Sequence, residues 1–308
     1  MAAVVCRSLV LMMALGYPGA AGWSQVHAEP GLVQNGASAT EPAPAVQLPD
    51  IPTLMHEVEA HQKAAEAIQK DYLYRSVQTL KESDGHGGVK KTTTKEYDVF
   101  WVEGVRVYRL TKKDGKELSP EEQKKEDEKI DKKVARAKER RAEADRKGKE
   151  TNSRGDEEIT ASRFLELGKF TNPRRVKLNG RDTIAVDYAG DPKARTRNRA
   201  ESVIRDLVGT VWVDEQDQVL VKVEGHFVDS FKVGAGLVAN IQKGTSFGME
   251  QRKINNEVWL PAHVEGQGAA RFFLLFSFNG SAQAVESDYR KFKATSTILP
   301  GMRVPASQ

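Results

Sequence analysis

His56, Glu57 and His61 are the first residues whose types could do chemistry, because two histidines and a glutamate on one helix can supply zinc ligands and a general base. That chemistry needs histidines four residues apart. Here the spacing is five, which turns the second ring about 140° from the first instead of about 40°, so one ion cannot meet both. GAGLVA at 234–239 satisfies the bare glycine pattern of a dinucleotide-binding turn. Such a turn works only between a parallel strand and a helix, and both flanks here read as antiparallel strand, so a glycine bulge or turn is the better reading. Lys243-Gly244-Thr245 has the residues of a phosphate loop in the wrong order, and the sequence has no G-x-S-x-G. Carboxylates abound, yet nothing in the sequence pairs two of them in a cleft. A non-enzymatic protein without cofactor or metal is therefore expected.

Two segments suggest binding instead. Lys193, Arg195, Arg197 and Arg199 lie in a basic loop at 191–209, where they are candidate ligands for phosphate headgroups, with a solvated loop as the alternative. FFLLFSF at 272–278 reads as a strand apolar on both faces, inside a series whose other strands alternate. Such a strand needs two covers: a core on one side, and a second layer or a greasy ligand on the other. Val211, Val213, Phe272, Leu274, Phe276 and Phe278 are the candidate lining of a lipid cavity.

The compartment follows from the start of the chain. Arg7, the apolar run at 8–22 and VHA at 26–28 read as a signal peptide cut after Ala28, and Tyr17-Pro18-Gly19 interrupts the run short of a bilayer span of roughly 20 residues. Cys6, the single cysteine, precedes that run, so a mature secreted or periplasmic chain would carry no thiol and no disulfide. A net charge of +4 with 29% charged residues of both signs speaks for solubility, and nucleic acid is not an expected partner. Among 308 residues, 39% hydrophobic, there is enough for a packed core.

The elements that must position these residues read as follows. Residues 29–50, rich in Pro, Ala, Gly and Ser, form an expected disordered linker, and 294–308 a C-terminal tail. A helix spans about 53–72 with Thr53 as its cap, since Leu54, Val58, Ala65, Ile68 and Tyr72 share a face. A three-strand meander follows, turning at 84–88 and at Glu103-Gly104. Ser119, Pro120 and Glu122 form a capping box that opens a long charged helix within the insertion 119–157. Few apolar residues, chiefly Ile130 and Val134, sit on it, so it is expected to project into solvent or lie loosely on the domain. A short helix at about 158–167 precedes an Asn179-Gly180 hairpin. From Gly209 to Lys293 strands follow one another, with Val219, Val221, Val223 and Phe227 on one face and turns at 215–217, 255–256, 266–268 and 279–280.

This order, with GTVWVDEQDQVLVKVEG (209–225), GLVANIQKGTSFGMEQRKINNEVWLPAHVEG (236–266) and SDYRKFK (287–293), resembles the periplasmic lipoprotein carriers, the group of LolA, LolB and the sensor RseB. The likeness spans 51–293 apart from the charged helix. It implies an α+β fold, an incomplete antiparallel β-barrel (half-barrel) under helical cover, whose apolar concavity holds acyl chains. The expected function is a secreted or periplasmic carrier of a lipid or acylated protein, with peripheral membrane contact. The alternative is an envelope sensor or scaffold that docks a protein partner through the charged helix and holds no lipid.

Overall fold

The computed structural model describes residues 47–148, 151, 159–233, 239–272 and 276–291, without the side chains of 199, 200, 233, 239 and 271–277. The signal-peptide segment, most of the linker and the C-terminal tail lie outside the described residues. The first described residues make contacts: the Gln47 carbonyl accepts from Arg175, Leu48 packs on the core and Asp50 caps the first helix.

Helix α1 (Ile51–Gln69) starts two residues before the expected Thr53. Asp50 is its cap and accepts from the Thr53 amide at 3.2 Å, because Pro52, with its fixed φ and missing N–H, suits the first turn. The chain becomes strand by Tyr72, and β1 (Tyr72–Ser83), β2 (Val89–Val102) and β3 (Val105–Lys113) form the expected meander. The Asp84 carboxylate accepts from the amides of His86 and Gly88 and so ties the first turn. After β4 (Lys116–Glu117), the Ser119/Glu122 capping box opens α2 (Pro120–Arg146). Helix α3 (Ala161–Leu167), β5 (Gly168–Leu178), β6 (Arg181–Gly190), α4 (Arg199–Arg205), β7 (Leu207–Asp214) and β8 (Val219–Phe227) follow. The last strands are β9 (Phe231–Val233), β10 (Ala239–Ile241), β11 (Ser246–Ile254), β12 (Val258–Phe272) and β13 (Phe276–Lys291).

Among the described residues all thirteen strands join one antiparallel sheet, in the order β4-β3-β2-β1-β13-β12-β11-β8-β7-β6-β5, with β9 and β10 attached beside β12. The sheet is not closed, for β4 and β5 end it. Edge strand β5 is blunted by Pro173, a bulge at Thr171/Arg174 and the cations Arg174, Arg175 and Lys177. No helix among the described residues is long and apolar enough to cross a membrane, which says nothing of crossing by strands.

The main core lies on one face. Ile184, Val186 and Tyr188 of β6, Val211 and Val213 of β7, Val223 of β8, Met249 of β11, Val264 of β12 and Ala284 of β13 are buried there against Leu54, Met55 and Val58 of α1, Phe164 and Leu167 of α3, and Ile204 of α4. Leu178, Trp212, Val219, Val221 and Trp259 form a separate cluster.

Three expectations need correction. Val219 and Val221 do not share a face with Val223 and Phe227, because a register shift opposite Trp212/Val213 inserts one residue into β8 and reverses the alternation. Gly266 to Gly268 and Asn279-Gly280 are not turns. They lie inside β12 and β13, where Gly268 pairs with Gly280. A Cβ on Gly280, at φ 155°, would sit 2.0 Å from the Lys81 carbonyl oxygen, so this glycine serves a close approach of strands. FFLLFSF is accordingly not one strand. Phe272 ends β12 and Phe276 begins β13, and the two pair with each other.

For helix α2, expected to project into solvent or lie loosely on the domain, the packing favours the second alternative. Ile130, Val134 and Ala137 are buried against Phe100, Val105 and Val107, so the charged helix is docked and does not project. Arg109 pairs with Asp127 at 3.2 Å, and Arg141 donates to the Gly104 carbonyl at 2.6 Å. Alternation in β3 turns Val105 and Val107 toward α2 and leaves Arg106 on the other face, beside the C-terminus of α1.

Candidate functional site

The candidate lining residues divide between environments. Val211 and Val213 lie in the main core, facing the helices. Phe278 sits apart with Leu80 and Ala282. Phe272 and Phe276 flank the hairpin end, and Leu274 lies outside the described residues. Of the six, Val211, Val213 and Phe278 have described side chains, and Phe278 belongs to a different cluster from the two valines.

The apolar face is closed by three helices held partly by polar clasps. The Ala161 amide, at the start of α3, donates to the Glu59 carboxylate of α1 at 2.8 Å. Arg163 of α3 donates twice to Glu201 of α4, from Nε and Nη2, each at 2.8 Å. The Glu201 side chain is only 3% exposed. Arg163 holds the Glu201 carboxyl below the usual carboxylate range against the opposing effect of burial, and Glu201 in turn raises the already high Arg163. Gly190 lets the end of α4 approach β6, since a Cβ there would lie 2.0 Å from the Arg205 carbonyl oxygen. Under α3, Phe164, Phe170 and Tyr188 form an aromatic trio with centroids 4.9 to 6.2 Å apart. Burial pushes the Tyr188 phenol up, and its hydroxyl donates to the Ile204 carbonyl. An apolar void of about 20 Å³ remains among Phe164, Tyr188, Leu207, Val211, Val223 and Phe247. Pockets for small molecules typically measure about 300 to 1,000 Å³, so this void is far too small for a ligand.

The basic loop is organised by its backbone. The Lys193 amide donates to Asp191 at 2.9 Å, the Arg195 carbonyl accepts from Arg163, and the Arg197 amide donates to Glu201. Arg199 opens α4. The loop is thus an appendage of the Arg163–Glu201 clasp.

A groove of mixed polar and apolar lining was not legible in the sequence. It measures about 890 Å³ and crosses the contiguous strands β13, β12, β11, β8, β7, β6 and β5. Asp187, Thr210, Glu224, Glu265 and Gln283 line it, each one position out of step with a core residue and so on the face away from α1, α3 and α4. Although burial opposes it, hydrogen bonds from Thr210, Arg174 and Asn172 hold Asp187 below the usual carboxylate range. Glu224 pairs with Lys222 at 2.6 Å. The row Gly209, Gly225 and Gly266 was the available signal, but glycines alone do not specify which strands they bring together.

The histidine pair does not converge. His61 bonds the Glu57 carbonyl of its own helix at 3.0 Å, while His56 faces Ser162 at 3.5 Å. Among the described residues no group of three or more His, Cys, Asp or Glu could hold a metal. GAGLVA lies mostly outside the described residues, and its flanks β9 and β10 pair antiparallel with each other.

No protein-family model matches the chain, and no curated protein does. Its structure is similar to that of an outer-membrane lipoprotein-sorting protein domain from Vibrio parahaemolyticus, with 13% identity over 80% of this chain and 95% of that one, at a TM-score of 0.39. It is also similar to a LolA-superfamily protein from Nitrosomonas europaea, with 9% identity over 77% and 94% and a TM-score of 0.32. A third similar structure is the MucA/MucB complex of Pseudomonas aeruginosa, with 7% identity over 77% and 100% and a TM-score of 0.21.

Proposed function

We propose that the protein is a non-enzymatic carrier that holds the acyl chain of a lipid or acylated protein between its open, half-barrel sheet and helices α1, α3 and α4, in a secreted or periplasmic setting. One observation carries the reading: a continuous apolar face drawn from eight strands is covered by helices of which two are only seven residues long. Helices so short have no stability of their own and stay in place by docking, so they belong to the low-stability part of a fold. Lifting α3 with its preceding residue exposes Ile159, Phe164 and Leu167, which costs about 5 to 9 kcal/mol at about 1.5 to 3 kcal/mol each. Burying about 14 methylenes at about 0.8 kcal/mol each returns about 11 kcal/mol. On these figures an acyl chain entering from water offsets the displacement of α3 with about 2 to 6 kcal/mol in hand. The filled core belongs to the unloaded, closed state in this reading.

Native mass spectrometry of gently purified protein, with titration by a fluorescent fatty acid, tests the proposal. A bound amphiphile and saturable uptake that Phe164→Ala alters are expected. A bare chain with no uptake refutes it.

A second reading, a sensor or scaffold that binds a protein partner, is favoured by α2. Lys125, Lys129, Lys132, Lys133, Arg136 and Arg140, with Glu128 among them, line one side of this docked helix, a predominantly basic stripe suited to an acidic partner surface. Charge reversal at Lys129, Lys132 and Arg136 separates the two, since a scaffold loses its partner while a carrier keeps lipid uptake.

A further inference from the structure

Arg106 is buried to 3% exposure without a carboxylate. Its Nη2 donates to the Gln69 Oε1 at 2.9 Å, and its guanidinium lies 4.7 Å from the centre of the Trp101 ring. Its Nε and Nη1 are buried and have no partner among the described residues. Gln69 cannot turn to serve them, since its Nε2 is committed to the Trp259 carbonyl at 3.0 Å. A second cation stands beside the same ring, Lys70 Nζ at 5.9 Å from its centre, exposed and without an ion pair among the described residues. The groups that contact Arg106 here, Gln69 and the Trp101 ring, are neutral, and the cation Lys70 shares that ring. Removing a charge from water is expensive unless it is paired and hydrogen-bonded, so this arrangement is incomplete as it stands.

We propose that Arg106, with Lys70 and the Trp101 ring, is the recognition site for the anionic headgroup, carboxylate or phosphate, of the amphiphile whose tail the apolar face takes up. The planar guanidinium with free N–H groups suits a carboxylate or phosphate oxygen pair. Lys70 adds a mobile positive charge at the solvent side. Arg106 shares the α1-facing side of the sheet with the core, and α1 itself gives the ruler. From Val58 in the core to Gln69 at Arg106 is a rise of about 16 Å at 1.5 Å per residue. Half of a bilayer's hydrocarbon thickness, which one tail spans, is about 15 Å. A ligand lying along α1 would therefore place its head on Arg106 and its tail end among the residues under α3. The proposal rests on the carrier reading and specifies its ligand as an anionic amphiphile.

The test uses the full secreted chain, palmitic acid, its methyl ester and a lysophosphatidic acid of the same chain length, each competed against a fluorescent fatty acid, with inorganic phosphate as a further arm. Both acids are expected to bind at least tenfold more tightly than the ester. Arg106→Gln removes that preference while leaving ester binding within about twofold, and Lys70→Gln, a surface change, reduces it in part. Equal binding of acid and ester by the unaltered protein overturns the headgroup site and leaves the carrier reading standing. Binding of none of the three amphiphiles overturns both. An equal loss of acid and ester in Arg106→Gln marks the arginine as structural and refutes the site. Arg106-dependent binding of inorganic phosphate without amphiphile uptake assigns the site to a free anion and likewise refutes it. If Arg106→Gln does not fold, the acid-to-ester ratio of the unaltered protein and of Lys70→Gln decides.

Discussion

Replacing Glu201 by glutamine keeps the size of the side chain and removes the charge that clasps α4 to α3. Glu201 accepts two hydrogen bonds from Arg163 and one from the Arg197 amide, and it is only 3% exposed. Glutamine retains one acceptor oxygen, so one charge-assisted bond is lost outright and the others weaken, at about 1.5 to 3 kcal/mol per bond to a charged group. Arg163 keeps Glu166 and the Arg195 carbonyl, and that limits the penalty of an unpaired buried charge. The expected loss is about 2 to 4 kcal/mol, or about 1 M in urea midpoint at a slope of about 3 kcal/mol per M. The surface pair Arg175–Glu215, about one-third exposed on each side, is the control, and Glu215→Gln is expected to cost under about 1 kcal/mol. The pH dependence carries a sign of its own. Glu201 titrates below its unfolded value, so its contribution is present at neutral pH and is lost as pH falls through and below the ordinary carboxylate range, and Glu201→Gln flattens that acid limb. Urea titrations at several pH values, with amide exchange read over 159–167 and 199–205, measure all of this. A midpoint moved by less than about 0.2 M, with exchange in both helices unchanged, refutes the view that this pair holds the cover.

Other outcomes follow from single contacts. Ile130→Ala, at a site 5% exposed, should cost about 2 to 5 kcal/mol by denaturant titration and release α2 to proteolysis, whereas a helix lying free in solvent would register little. Gly190→Ala drives a Cβ into the Arg205 carbonyl, so it should raise amide exchange over 199–205 before it affects exchange in β11 and β12. Phe164→Ala opens the void beside Tyr188 and should cost about 3 to 5 kcal/mol of stability, while making room for the first methylenes of a fluorescent fatty acid. Asp217 titrates below its usual range although burial opposes this, because Lys253 and Trp259 bond it, so Lys253→Met should reduce stability at neutral pH and have little effect once the carboxylate is protonated.

How much was legible depended on the range of the signal. The Ser119/Glu122 box, the 84–88 loop and Asn179-Gly180 each satisfy their own backbone groups within a few residues, so α2, the β1/β2 turn and the β5/β6 hairpin were readable locally. The glycines at 268 and 280 misled for the opposite reason, since their contacts are with Thr245 and Lys81 on neighbouring strands. With the turn placed at 279–280, FFLLFSF became a two-sided strand, although Phe272 and Phe276 belong to two paired strands and Phe278 packs with Leu80 and Ala282. The headgroup loop was found as a run of cations, while its service to the Arg163–Glu201 clasp depends on a partner 38 residues away.

The sequence by itself determined the α+β composition, the start of α2 and the alternation of most strands, because these are set by sterics and hydrogen bonds between near neighbours. Only the tertiary structure decided that β1 pairs with β13, that β11 joins β8 past the β9/β10 pair, and that one helix docks on the far side of the sheet from the other three. Those pairings bring residues far apart in sequence into register, and no local pattern names a distant partner. Arg106 is the sharpest case. In the sequence it is one cation in an alternating strand, and only the approach of α1 buries it beside Gln69 and Trp101 with two donors left open.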